Sequence, residues 1–149
     1  YAVQKNIDML INCAGVHCPG QPLNELDLAE LKDIVGVNLI APITLMHSIY
    51  RFFCQKGAGT IINMNSMVGL ETKKYRTAYS ASKWGLRGFS NSLKLEAPER
   101  GVHILDVYPT RIRTYPAREN SMELDFVVDE IYKAYMRKEE VLVLDGREK

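Results

Sequence analysis

The stretch "TIINMNS", residues 60–66, decides how the rest of the chain is read. Its apolar residues do not alternate strictly with polar ones, as they would in a strand with one wet face. Such a run fits a strand of a parallel sheet covered on both faces. Two further runs share the pattern, "IDMLINC" (7–13) and "VHILDVYP" (102–109), and "VLVL" (141–144) is a weaker fourth. Segments with helical periodicity lie between them, so strand and helix alternate throughout. Right-handed crossovers then give an α/β fold, a doubly wound parallel sheet in three layers.

The spacing predicts a first helix capped by Asp27, with Glu30 completing a capping box and Leu28, Leu31 and Val35 as its apolar stripe. A second helix over about 40–56 carries Ile43, Met46, Ile49, Tyr50 and Phe53, and Gly57 and Gly59 end it. A third, roughly 77–97, sets the small residues Ala81, Gly85, Gly88 and Ser92 on or near one face. A fourth, about 123–137, shows Val127, Val128, Ile131 and Tyr135. Asn38, in "VGVNLIAP", falls where the helical pattern breaks, which points to a local kink with freed backbone groups. No repeat, low-complexity tract or long linker interrupts residues 1–149, which read as one domain.

Composition excludes several classes of function. Charge is nearly balanced, with 19 Lys+Arg against 18 Asp+Glu and no basic block, so nucleic acid has no electrostatic footprint. No apolar run approaches the about 20 residues that span a bilayer, and no cationic start precedes an apolar segment. Cys13, Cys18 and Cys54 are odd in number and lack framework spacing, which fits a reducing, cytoplasmic setting. "NCAGVHC" brings two cysteines close to His17, but no second Cys/His pair follows, so no metal site is expected. The chain begins Tyr-Ala-Val close to a buried-looking strand, which reads as part of a longer protein.

Chemistry gathers around "AYSASKWG", residues 78–85. Tyr79 and Lys83 stand one helical turn apart on the same face. An unperturbed phenol titrates near 10, and a neighbouring ammonium favours its anion, most strongly where water is partly excluded. Ser66 closes a strand at the carboxyl edge of the sheet, where open α/β folds bind ligands, and its hydroxyl can hold a substrate oxygen. A lone Tyr-x-x-x-Lys is most often an ordinary helix surface. The ordered set is more specific: "NCAG" after the first strand, Asn38 in a helical break, Ser66 thirteen residues before Tyr79, and "YSASK".

This set resembles the short-chain dehydrogenase/reductase family, from "DMLINCAG" through "VNLIAP", "TIINMNSMVG" and "YSASKWG" to "VYPTRIRT". The resemblance implies an NAD- or NADP-dependent oxidoreductase with a Rossmann-like fold, interconverting a small carbonyl and an alcohol by hydride transfer. It implies that Tyr79 is the general acid/base and that Ser66 orients and polarises the substrate oxygen. Lys83 would lower the phenol's pKa and bind the nicotinamide ribose, and Asn38 would hold a relay water through its backbone. "NCAG" is similar to the family's Asn-Asn-Ala-Gly, which marks Asn12, Ala14 and Gly15 as cofactor contacts, with Cys13 a departure. "PTRIRT" is similar to Pro-Gly-x-Ile-x-Thr, which places Pro109, Ile112 and Thr114 beside the nicotinamide and Thr110 in place of a glycine.

The family's N-terminal glycine-rich turn has no counterpart here, so the expectation is the C-terminal two-thirds of the fold, its catalytic half. The segment after Thr114 is short, with Tyr115 and Met122 as pocket walls or plain loop residues. A catalytically silent NAD(P)-binding regulator is the alternative, although such a protein has no need of Asn38, Ser66, Tyr79 and Lys83 together. A nucleotide-sugar epimerase or dehydratase would need a larger C-terminal domain. The resemblance also implies a homodimer or homotetramer built through the second and third helices.

Overall fold

The computed structural model describes residues 6–17, 20–114 and 121–147; Cys18 and Tyr115 lie outside them. Four strands, β1 (Met9–Asn12), β2 (Gly59–Met64), β3 (Val102–Pro109) and β4 (Val141–Leu144), form one parallel sheet in the order β1-β2-β3-β4. The connections carry α1 (Leu28–Val35), α2 (Ala41–Lys56), α3 (Thr77–Glu96) and α4 (Leu124–Met136).

The missing alternation in the strands has a direct cause. Ile61 and Ile104 face a cluster with Met46, Ile49 and Phe53 of α2 and Leu86 of α3. Their neighbours Ile62, Leu105 and Val107 point the other way, against Val127 and Ala134 of α4. Over the central strands β2 and β3 both faces of the sheet are therefore covered by helices, and successive residues are buried, whereas Ile11 of β1 and Val141 and Val143 of β4 are exposed.

Three local details differ from the sequence expectation. Asp27 does cap α1, accepting the Ala29 N–H at 2.6 Å. However, Ile34 is the buried member of that helix, while Leu28 of the expected stripe is 63% exposed. Strand β2 ends at Met64, so Ser66 lies two residues beyond it rather than closing it. The Asn65 N–H still reaches the Val107 carbonyl at 2.8 Å, after which the chain turns into the short 3-10 segment Met67–Gly69. Met122 is a core residue at 6% exposure, packed in the cluster against α4, not a loop residue or an open pocket wall.

The break at Asn38 is a π-helical turn, Gly36–Ile40, joining α1 directly to α2. Gly85 of α3 owes its small size to this turn, because a Cβ there would come 3.0 Å from the Leu39 side chain. Gly88, by contrast, faces open space. Among the described residues no helix is long and apolar enough to cross a membrane, and no group of three His, Cys, Asp or Glu could hold a metal ion.

Two glycines at the amino-terminal edge of the sheet hold positive φ. Gly57 ends α2 and Gly101 precedes β3, both at φ 70°. A Cβ on Gly57 would meet nothing within 4 Å, whereas one on Gly101 would fall 2.1 Å from the Gly57 carbonyl oxygen. Gly57→Ala should thus cost only the left-handed strain, about 1–2 kcal/mol. Gly101→Ala should cost at least about 1 kcal/mol more, because backbone must also move. Urea unfolding of the two variants checks the order.

Candidate active site

The site forms where the carboxyl ends of β1 and β2 meet α3 and the π-helical turn. On α3, Lys83 points inward and is 5% exposed. Its Nζ donates to the Met64 carbonyl oxygen at 3.1 Å, at the last residue of β2. The same ammonium lies 5.7 Å from the centroid of the half-buried Tyr79 ring, one turn earlier. Burial lowers the Lys83 pKa from the ordinary 10.5 to about 8, and the Cys13 thiol past the end of β1 opposes that fall. The ammonium is therefore charged at neutral pH, in a place shielded from water.

Ser66 is held by its neighbours. Its Oγ accepts the Val68 N–H at 3.2 Å, which leaves its own hydrogen to donate. Its backbone N–H donates to the Asn65 Oδ1 at 3.0 Å, and the Asn65 Nδ2 donates to the Lys83 carbonyl oxygen at 3.2 Å. Asn65 thereby ties the serine to the helix that carries Tyr79 and Lys83. Sequence reasoning missed this residue. Its signal was a second polar side chain in "NMNS" inside an otherwise apolar run.

Asn38 is 1% exposed, and both polar atoms of its side chain are bonded. Its Oδ1 accepts the Val16 N–H at 2.9 Å and its Nδ2 donates to the Val16 carbonyl oxygen at 3.0 Å. The π-helical turn is thus bound to the loop that leaves β1. A Cβ on Gly15 would come 3.2 Å from the same Oδ1, so a larger residue there would crowd the contact.

The remaining predicted residues fall in three groups. Ala14 and Gly15 are exposed at the end of β1. Asn12 is buried, with its Nδ2 donating to Asn63 Oδ1 at 2.8 Å, so its amide serves the sheet. Pro109 ends β3 buried, Ile112 is half-buried in a bridge with Met122, and Thr114 is exposed. Thr110, where the resemblance expects glycine, puts its hydroxyl to use by accepting the Gly146 N–H at 2.9 Å.

The short chain dehydrogenase family model matches residues 2–124. The chain belongs to the short-chain dehydrogenase family. Among its curated relatives is 3-oxoacyl-(acyl-carrier-protein) reductase FabG of Buchnera aphidicola, 34% identical over 143 residues, covering 95% of this chain and 58% of that protein. Among solved structures, the bulky-bulky ketone specific alcohol dehydrogenase of Comamonas testosteroni superposes with a TM-score of 0.84 at 29% identity, over 92% of this chain and 54% of that one. A short-chain dehydrogenase from Sphingobium yanoikuyae in complex with NADPH gives 0.82 at 26% identity, over 92% and 57%. The chain thus spans little more than half the length of these members of the short-chain dehydrogenase family.

The depressed Lys83 pKa makes stability depend on pH. The folded state releases this proton near pH 8 and the unfolded chain near 10.5. The unfolded state binds more protons between those values, so the burial penalty is complete below pH 8 and disappears as pH rises to 10.5. Relative to Lys83→Met, the unliganded parent should gain up to about 3 kcal/mol across that window. Denaturant unfolding at pH 7.5, 9 and 10.5 checks the sign.

Proposed function

We propose that the protein is an NAD- or NADP-dependent oxidoreductase that interconverts a carbonyl and an alcohol, with Tyr79, Lys83, Ser66 and Asn38 as its working set. One observation carries the reading: the buried Lys83 ammonium, seated on the Met64 carbonyl and 5.7 Å from the Tyr79 ring centroid. A surface Tyr-x-x-x-Lys pair would have its lysine in water. Here the charge is desolvated beside a phenol, which favours the phenolate that acid/base work requires.

The residues present fit the nicotinamide end of a dinucleotide. The Lys83 ammonium gives one of its three N–H groups to Met64, and the others suit a ribose diol. Exposed Ala14 and Gly15 leave space beside β1, and Ile112 and Thr114 lie past the end of β3, where the carboxamide would sit. When bound, the nicotinamide supplies or accepts the hydride. In the reductive direction the Tyr79 hydroxyl gives its proton to the substrate oxygen, and in the oxidative direction it takes that proton back. Ser66, whose own hydrogen is left by the Val68 contact, donates to the same oxygen and polarises it. Asn38 fixes the π-helical turn, whose backbone would hold the relay water.

The names of the relatives agree with a carbonyl substrate. Association is read from the outer faces of α2 and α3, where Leu45 is 53% exposed, Trp84 42% and Leu95 83%, and Gly88 leaves room for close approach. A homodimer or homotetramer through these helices is proposed, and residues 1–149 are taken as the catalytic half of one domain in a cytoplasmic enzyme. The silent-regulator reading has a use for Lys83 as a cofactor contact but none for Ser66 and Tyr79 gathered beside it.

The test is turnover by the full-length protein with NADH or NADPH and a panel of aldehydes, ketones and diketones. Tyr79→Phe should lower kcat by about 10²–10⁴-fold while cofactor binding persists. Cofactor binding with no turnover of any panel member, unchanged in Tyr79→Phe, would favour the regulator.

A further inference from the structure

A second lysine is buried in α3, away from the site. Lys94 and Asp106 form an ion pair at 2.7 Å with side-chain exposures of 7% and 0%. Burying two charges is costly unless each is otherwise satisfied, and here they are. The Lys94 Nζ also donates to the Glu140 carbonyl oxygen at 2.6 Å. Asp106 Oδ1 accepts from Ser90 Oγ at 2.7 Å and from Asn63 Nδ2 at 2.9 Å. Asn63 Oδ1 in turn accepts from Asn12 Nδ2 at 2.8 Å. Asn12, Asn63 and Asp106 occupy one register row across β1, β2 and β3.

This row touches the site through two covalent paths. Lys83, Ser90 and Lys94 are seven and eleven residues apart, about two and three turns, so they share the sheet-facing stripe of α3. On the strand side, Asn63 is followed by Met64, whose carbonyl seats the Lys83 ammonium. Helix and strand are therefore clamped together one step below the place where the catalytic lysine meets its acceptor. An apolar row would fill the same space. It would not fix the rotation of α3 about its axis, because dispersion contacts lack direction whereas a charged hydrogen bond has it.

We propose that Lys94 and Asp106, with Ser90 and Asn63, are positioning residues that hold α3 in the rotation at which Lys83 is seated and desolvated beside Tyr79. The proposal rests on the catalytic reading of Lys83, but its test need not.

Lys94→Met/Asp106→Asn in the full-length protein removes both charges while leaving an acceptor for Ser90 and Asn63. The Lys83 ammonium is then titrated by competitive labelling with a trace acylating reagent and peptide mass spectrometry, which requires no turnover. The groups facing Lys83 are the Met64 carbonyl from β2, Tyr79 on its own helix and the Cys13 thiol beyond β1. None of them is altered in the variant. In the parent the labelling midpoint should lie near 8. In the folded double variant it should rise by about one unit, a ten-fold change in the ratio of the two forms, as the lysine regains water. kcat should fall about ten-fold with KM within about two-fold, as expected when orientation and not binding is lost.

An unchanged midpoint in a folded double variant would overturn the proposal, whatever happens to the melting temperature. Should that variant not fold, Ser90→Ala removes one bond of the same row. Its midpoint should move in the same direction by less, and a fixed midpoint in it would also overturn the proposal. A parent with no Tyr79-dependent turnover whose Lys83 midpoint still moves would refute the catalytic reading and leave the positioning role standing.

Discussion

One desolvated charge organises this structure. Placing the Lys83 ammonium at 5% exposure is unfavourable, as its lowered pKa records, and the fold compensates with geometry. The charge needs an acceptor that cannot move away, and the last carbonyl of β2 provides it. It needs a helix held close to the sheet, which the apolar cluster of Met46, Phe53, Ile61 and Leu86 supplies. Neighbouring loops must also be fixed, and Asn65 and Asn38 fix them by spending their side chains on backbone groups.

The polar interior is more extensive than a single site requires. Four asparagines, Asn12, Asn38, Asn63 and Asn65, are all at or below 8% exposure, and each bonds another strand, loop or helix. Among the described residues Asn12 Oδ1, on the edge strand β1, is buried without a hydrogen-bond partner, as are Ser80 Oγ, His103 Nδ1 and Ser121 Oγ. Directional bonds of this kind define register and rotation where a purely apolar interior would tolerate sliding. In a family whose chemistry depends on atoms placed to fractions of an ångström, that rigidity has an evident use.

Much of this was legible in the residues. The strands were readable because runs such as "TIINMNS" do not alternate, and burial on both faces is the reason. The kink at Asn38 showed as a break in helical spacing, since a π-helical turn adds a residue and shifts the apolar phase. What stayed hidden depends on contacts far apart in sequence. Ile34, not Leu28, faces inward because the direction of α1 is set by its packing against Ala78, Tyr79 and Val16 on other elements, which one helix's periodicity cannot reveal. Asn65 and Asp106 were passed over because a polar residue in or just past a strand gives no sign of its partner eighteen or twelve positions away. Ser66 was singled out by its spacing to Tyr79, but its place two residues past β2 depends on where pairing with β3 stops.

The central claim is that Lys83 makes Tyr79 a usable acid and base. The most direct measurement is the titration of the Tyr79 phenol itself, by NMR of ring-labelled tyrosine in the full-length protein, beside Lys83→Met. The account predicts that Tyr79 ionises below the ordinary phenol value of about 10 and that Lys83→Met raises it. A phenol that titrates at or above that value, with the same midpoint in both proteins, would contradict it.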